Sequence, residues 1–524
     1  MSSAAVTRRS EDSHARDPLT SHGAAAPWLL WAAIAIGAIL RLFRLGHQPL
    51  WLDESFTWKA AELLNEAGIN EVIALDHIAP GYYWLAAMFA RIGGYGAGTL
   101  RLPSALAGVV AIWLVHRLVL SVTRRSALAL AAACFMAVSP FAISYSQEAR
   151  GYSVLMALSV AYLWLHWLVV EERACWGRLV GLALVGGVML WFHHAAAFVF
   201  VGTGLHVLWR HRLSRISWQW LGCHLCALAL FAPWIVLSWA KLNQASDLPR
   251  PEIWSRMPYN AMSMLVAQSF GPSNREIREL GIAAAVKSSL LPLGMLGLCG
   301  ILALWSLWRG RSRLGRRQWD FLAAVLLGTN LALLLSVLAT HNLYHVRYLV
   351  TCFPVIVLLV ALAVTPWKDR LPRAVGCLTL LVALWADANY YFVSSYAKED
   401  FRQAPAVLAM TMSEEDTLLL GNRNAVPPLE PYGFTCPARA IELRSGKGVN
   451  SLEDFAVDHS EGADTFTVET RQWEVVSSSE IDRVLDDVLG PPVHVWEWDG
   501  VRMTQRHGSL TPRSADGLTL GCEP

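Results

Sequence analysis

The chain reads as an α-helical polytopic membrane protein carrying a small C-terminal α/β domain, and three observations predict that class. Hydrophobic residues fill 54% of its 524 positions and charged residues only 16%, a balance too apolar for a soluble protein of this length. Apolar runs of about 20 residues, enough to cross about 30 Å of hydrocarbon, recur along most of the chain. After residue 392 charge rises and the apolar runs shorten.

The first 26 residues are polar, with Arg8, Arg9, Glu11 and Asp12, and read as a disordered cytoplasmic N-terminus without a signal peptide. About eleven runs then meet the spanning criterion: 27–45, 100–121, 126–143, 151–170, 178–192, 195–209, 218–240, 284–308, 319–340, 346–366 and 374–392. The fifth and sixth are short. Lys and Arg accumulate in cytoplasmic loops. Arg124, Arg125, Arg173, Arg178, Arg210, Arg212, Arg215, the cluster between Arg309 and Arg317, Lys368, Arg370 and Arg373 fall on alternate loops, on the side of the N-terminus. The N-terminus is therefore expected inside and, with an odd number of spans, the C-terminal domain outside. The loop 46–99, the turn 144–150, the loop 241–283, the turn 341–345 and the tail 393–524 then share the outer face.

Within loop 46–99, residues 55–67 and 80–92 read as amphipathic helices lying in the interface. Loop 241–283, with Pro249, Pro251, Trp254 and Met257, reads either as a flap over a site or as an ordinary interfacial loop. In the tail, 416–421 and 493–498 have strand character and 401–411 and 479–489 helical character. Seven of the nine cysteines lie in or beside spans, where Cys behaves as a small apolar residue. Cys223 and Cys226 have the spacing of a metal or redox motif, but no second pair accompanies them, and packing is the favoured reading. Cys436 and Cys522 alone belong to the outer domain, where an oxidising compartment permits a bridge.

The chemistry-bearing residues sit at the mouths of spans. Asp53 and Glu54 follow Trp51 directly after the first apolar run. An acidic pair beside Trp is either an interfacial loop or a reactive group that meets a lipid-borne substrate. Asp76 and His77 bring another acid and an imidazole to the same loop, a pattern that also serves as a turn cap. Glu148 and Arg150 stand at another mouth, as a helix-start ion pair or as site residues. Arg347, followed by Tyr348, offers phosphate a planar fork of donors. The net charge of +2 says little about partners. No nucleic-acid partner is expected, and no Gly-rich nucleotide-binding loop is visible on the cytoplasmic side.

Five stretches in order carry a resemblance: Leu52-Asp53-Glu54; Asp76-His77 with Pro80-Gly81-Tyr82-Tyr83; Arg101-Leu102-Pro103-Ser104; the run from Ser146 through Glu148 and Arg150 to Tyr152; and Arg347-Tyr348 ahead of Pro354. Lys398-Glu399-Asp400-Phe401-Arg402 resembles the lead-in to an outer soluble domain. Together they resemble the polyprenyl-phosphate-sugar-dependent transferases of the glycosyltransferase C (GT-C) superfamily, family 39-like. That group contains protein O-mannosyltransferases, aminoarabinose transferases and lipopolysaccharide galacturonosyltransferases. One departure is that Ile78-Ala79-Pro80-Gly81 follows His77, where relatives commonly have His-Pro-Pro.

The resemblance implies a GT-C fold in the bacterial inner membrane. It implies transfer of a sugar, with inversion, from a polyprenyl-phosphate donor to a lipid, glycan or protein acceptor at the outer face. Asp53 matches the catalytic acid, Glu54 beside it is expected as a second catalytic residue, and Asp53 is expected to act as general base, its basicity raised by burial and by the like charge of Glu54. Arg150, Arg347 and Tyr348 are expected at the donor phosphate. Asp76, His77, Tyr82, Tyr83 and Glu148 are expected at substrate, with Glu148 orienting Arg150 and with Asp76 and His77 binding the acceptor or a divalent ion. No cofactor is otherwise implied. A transporter is disfavoured because duplicated halves and mid-membrane ionisable groups are not evident. A non-catalytic scaffold of the same fold, and a lipid-linked oligosaccharide polymerase or ligase, remain open.

Overall fold

The computed structural model describes residues 27–75, 78–242, 253–340, 344–420, 426–437, 440–442, 455–458, 463–470 and 478–512. Each of the eleven apolar runs coincides with helix. Among the described residues seven helices are long and apolar enough to cross a membrane, and Ser126–Val138 with Pro140–Ser146, bent by 53°, forms an eighth when counted as one span. Pro27–Leu42 and Trp176–Phe192 are shorter apolar helices. The bend has a local cause. Ser139 adopts an extended backbone and its side chain accepts from Ala142 N, while Pro140 occupies the first helical turn, where it needs no N–H partner.

The bundle buries one continuous apolar core, with Ile112, Val115, Leu155, Leu163, Val350 and Phe353 among its members. An arginine inside it has both terminal nitrogens hydrogen-bonded, while its Nε has no hydrogen-bond partner among the described residues. Arg41, fully buried, donates from Nη1 to the Gly37 and Ala137 carbonyls and from Nη2 to that of Met136.

At one end of the bundle the basic loops pair among themselves: Arg210 with Glu171 at 3.1 Å and Asp320 at 3.7 Å, and Arg124 with Glu172. At the other end lie two short helices, Leu52–Glu66 and Gly81–Gly93, close to the expected interfacial pair. Gly81 seats the second of them. A Cβ there would come within 2.4 Å of the Trp191 carbonyl oxygen, so the helix start lies against the end of Trp176–Phe192 only because residue 81 has no side chain.

After Phe392 the chain leaves the bundle and builds a small domain. Its strands are β1 (Thr417–Leu420), β2 (Ala440–Glu442), β3 (Phe455–Asp458), β4 (Asp464–Thr470), β5 (His494–Trp498), β6 (Val501–His507) and β7 (Ser509–Pro512). Five form one sheet in the order β2-β1-β4-β6-β5, parallel between β1 and its neighbours and antiparallel from β4 to β5; β3 and β7 pair separately. Helices Ala404–Thr411 and Ser478–Leu489 accompany the sheet. Phe401, Leu408, Leu418, Phe466, Val468 and Met503 form its core. Cys436 is disulfide-bonded and the seven bundle cysteines are free thiols; Cys522 lies outside the described residues. The domain docks on the loop that follows Pro27–Leu42 and on helix Leu52–Glu66, where Leu50 N donates to the Tyr432 hydroxyl at 2.7 Å and Lys59 meets Glu430 at 3.4 Å.

Candidate active site

Helix Leu52–Glu66 sets Asp53 and Glu54 in its first turn, where carboxylates suit the exposed N–H groups. Successive residues on a helix diverge by about 100°, so the two acids face different surroundings. Asp53 points into the site and Oδ2 accepts from Arg347 Nη1 at 2.7 Å. Glu54 points into the protein and is fully buried.

Four donors converge on Glu54. Oε1 accepts from Arg101 Nε at 2.7 Å and from Ala149 N at 2.7 Å; Oε2 accepts from Arg101 Nη2 at 2.6 Å and Lys398 Nζ at 2.9 Å. Burial works to raise its proton affinity, but Arg101 and Lys398 outweigh it and hold the carboxyl at about 2. The expected catalytic role of Glu54 is therefore corrected. Its lone pairs are occupied, it is closed to substrate, and its charge is matched by two cations, so it does not act on Asp53 as an uncompensated like charge. Arg101 completes the knot by donating to the carbonyls of Leu45, Gln48 and Pro49.

Arg347 heads a 3-10 turn, Val346–Cys352, capped by His345. His345 Nδ1 accepts from both N and Nε of Arg347, each at 3.2 Å, which fixes the guanidinium plane. Nη1 reaches Asp53 and, at 3.2 Å, the Tyr152 hydroxyl. Among the described residues nothing hydrogen-bonds to Nη2. Tyr348 packs its ring against His193 and His194, with centroids at 5.5 and 6.2 Å.

Arg150 is buried, lies over the Tyr83 ring, and donates from Nη1 to the Tyr83 hydroxyl and the Asp53 backbone carbonyl, both at 3.1 Å. The expectation that Glu148 orients Arg150 is corrected. The contact between them is backbone only, Arg150 N to Glu148 O, and the guanidinium is aimed by Tyr83 and Asp53. The Tyr82 hydroxyl is committed to packing, donating to Leu100 O and accepting from Ser104 Oγ, both at 2.8 Å. Its ring still lines a narrow cleft together with Tyr83, Arg150, Tyr152, Phe192 and His193. Asp76 and His77 lie outside the described residues. Among the described residues, no cluster of three or more His, Cys, Asp or Glu is arranged to hold a metal.

Glu148 is partly buried, and burial is the main cause that raises its carboxyl to about 7. Lys398 and Arg347 work against that rise while Asp53 and Glu54 add to it. Lys398, on the segment that leads to the sheet domain, has its pKa lowered by burial and by nearby Arg101; it also donates to the Gln147 carbonyl at 3.2 Å.

Three contributors to this site were not weighted as site residues in the sequence. Arg101 opens an apolar run and resembles an interfacial anchor. Lys398 sits in the motif that marked the outer domain and carried no signal of reaching the bundle. His193, between two apolar runs, is the most visible in retrospect, since a His pair at a turn only two residues long must lie at a membrane surface.

Bundle, outer loops and sheet domain together define a polytopic membrane protein of GT-C architecture. The apo structure of ArnT from Cupriavidus metallidurans has this fold, with a TM-score of 0.57 at 12% identity over 92% of this chain and 98% of that one. The family model described as dolichyl-phosphate-mannose-protein mannosyltransferase matches residues 77–239. A Bacillus subtilis protein described as "Putative mannosyltransferase YycA" is 28% identical over 214 residues, which span 38% of this chain and 30% of that protein. The Archaeoglobus fulgidus oligosaccharyltransferase, in complex with zinc and sulfate, aligns with a TM-score of 0.47 at 14% identity, over 87% of this chain and 70% of that one.

Proposed function

We propose that the protein is an inverting glycosyltransferase that moves a sugar from a polyprenyl-phosphate donor to an acceptor hydroxyl or amine on a lipid, glycan or protein, at the outer face of the bacterial inner membrane. The observation that carries this reading is the Asp53–Arg347 pair at 2.7 Å, with Arg347 Nη2 left over beside it. One guanidinium holds the proposed base and has a donor to spare for a phosphate oxygen. The matched family's description supports a polyprenyl-phosphate sugar as donor. The positive-inside rule supports the outer face, because the end of the bundle opposite this site carries Arg124, Arg210 and Arg317.

In this reading Asp53 accepts the acceptor's proton as its oxygen or nitrogen attacks the anomeric carbon from the face opposite the phosphate. Phosphate monoesters have a second pKa near 6, so the leaving group departs without obligatory protonation. Arg347 and Arg150 stabilise the charge that develops on it, and Tyr348 lies next to Arg347. Tyr83 and the cleft walls bind substrate.

The test is mass spectrometry of envelope glycolipids and glycoproteins from cells with and without the gene. A modification that disappears with the gene and fails to return with Asp53→Asn supports the reading. Full return with Asp53→Asn removes Asp53 as base.

A further inference from the structure

The segment 147–151, between the bent helix pair and Tyr152–Trp167, is held on every side but one. Gln147 Nε2 donates to the carbonyls of Arg41 and Phe43 at 3.1 and 2.7 Å. Ala149 N is bound to Glu54, Arg150 to Asp53 O and Tyr83, and the Arg150 carbonyl accepts from Ser104 Oγ at 2.9 Å. At Gly151 an added Cβ would lie 3.1 Å from the Phe192 carbonyl oxygen, so the backbone has no slack there. Glu148 is the exception. Among the described residues its carboxyl has neither hydrogen bond nor ion pair.

A carboxyl fixed by its neighbours and bonded to none of them is available for chemistry. The groups that face it electrostatically are Asp53 and Glu54 from the first outer helix, Lys398 from the outer-domain segment and Arg347 from the 3-10 turn. Tyr82, Tyr145, Tyr152 and Tyr390 face it as well. Glu54 is neutralised by Arg101 and Lys398, and Asp53 is tied to Arg347. Of the three carboxyls, Glu148 alone lacks a cation within ion-pair distance.

Resting on the proposed transferase reading, we propose that Glu148 is a second catalytic carboxyl, the group on which the acceptor's proton comes to rest after Asp53 has taken it. The acceptor's oxygen or nitrogen forms its bond to the anomeric carbon while the bond from that carbon to the phosphate oxygen breaks, its electron pair staying on the phosphate. The acceptor's proton passes to Asp53 and then to Glu148, which releases it to water. A buried carboxyl with no cation at ion-pair distance holds a proton well, and burial is the main cause that raises Glu148 to about 7.

Glu148 must be ionised to receive the proton, so transfer falls as the pH drops below about 7. The test uses cells carrying the full-length protein, with the outer face held at the pH of the medium between 6 and 8. It follows the initial rate of the gene-dependent envelope modification for the wild type, Glu148→Gln and Glu148→Asp. Infrared titration of the purified protein, which needs no substrate, follows the protonated-carboxyl band over the same range.

The expected results are a band near pH 6 that Glu148→Gln removes, and a rate in Glu148→Gln lowered about 10- to 100-fold and flat with pH, the low end of a general-base contribution. Glu148→Asp recovers part of the rate together with a pH dependence. Wild-type rate and pH profile in Glu148→Gln, absence of the band, or a Glu148→Asp protein inactive at every pH would each overturn the proposal. Undiminished transfer by Asp53→Asn overturns the underlying base assignment instead, so the two failures are distinguishable.

Discussion

Arg347 Nη1 lies 2.7 Å from Asp53 Oδ2, joining helix Leu52–Glu66 to the mouth of a span 294 residues away in sequence. His345 and Tyr152 fix the guanidinium on its other sides, so its position is set before any substrate arrives. Arg347→Lys keeps the charge but loses the fork that, in the proposed mechanism, serves Asp53 and a phosphate together. Transfer by this variant should fall about 100-fold or more, the scale of losing one aimed donor to developing charge. Initial rates at varied donor concentration check this. A Lys variant with wild-type kcat and KM would mean that charge alone suffices there.

Glu54 and Arg101 form a pair of another kind, with both side chains excluded from solvent. Removing Glu54 leaves the buried Arg101 charge without its carboxylate, a loss of about 3–5 kcal/mol, whereas removing Arg101 leaves Glu54 paired with Lys398 at 2.9 Å. Glu54→Ala should lower the unfolding temperature in detergent markedly, while Arg101→Met should lower it less and Asp53→Asn, partly exposed, far less. The pH dependence follows from the depressed Glu54 carboxyl. Its folded value of about 2 lies below the ordinary 4.5, so the stabilisation is fully present above about pH 4.5 and is lost as the pH falls toward 2. Unfolding temperatures between pH 6 and pH 3 should fall more in the wild type than in Glu54→Gln.

The contrast between these neighbours also marks what was legible in the sequence. The apolar runs were readable because lipid and core impose composition over 20 residues at a time. Asp53 and Arg347 were readable as charges at the mouths of spans. Which of two adjacent acids faces the site was not, because that depends on where the helix starts, at Leu52, and on Arg101, 47 residues beyond Glu54. Lys398 reaches Glu54 across 344 residues. Contacts of that range leave no local periodicity, and motif order located the stretches without revealing which side chains they join.

Packing accounts for the glycine at position 81, directly ahead of Tyr82 and Tyr83. A Cβ at 2.4 Å from the Trp191 carbonyl oxygen cannot be absorbed by a side-chain rotation, because the obstacle is backbone. Gly81→Ala should displace the helix that carries Tyr82 and Tyr83 and cost about 1–3 kcal/mol, as overpacking does. The expected signature is a lower unfolding temperature with a raised donor KM. An Ala variant as stable as the wild type would show that the two helix ends separate freely.

Cys436 is bridged while the seven bundle cysteines carry free thiols, which agrees with the proposed outer-face placement of the sheet domain, since disulfides persist in oxidising compartments. Alkylation of the denatured, unreduced protein should therefore label seven cysteines, and prior reduction should label all nine. Cys436→Ser should destabilise the outer domain by about 2–5 kcal/mol, the usual loss for a native bridge in a small domain. Because Tyr432 of this domain accepts from Leu50 N just ahead of Asp53, the loss should also reach the site, as reduced transfer after mild reductant treatment. Transfer unaffected by reductant in protein whose bridge is demonstrably open would confine the disulfide to the stability of its own domain.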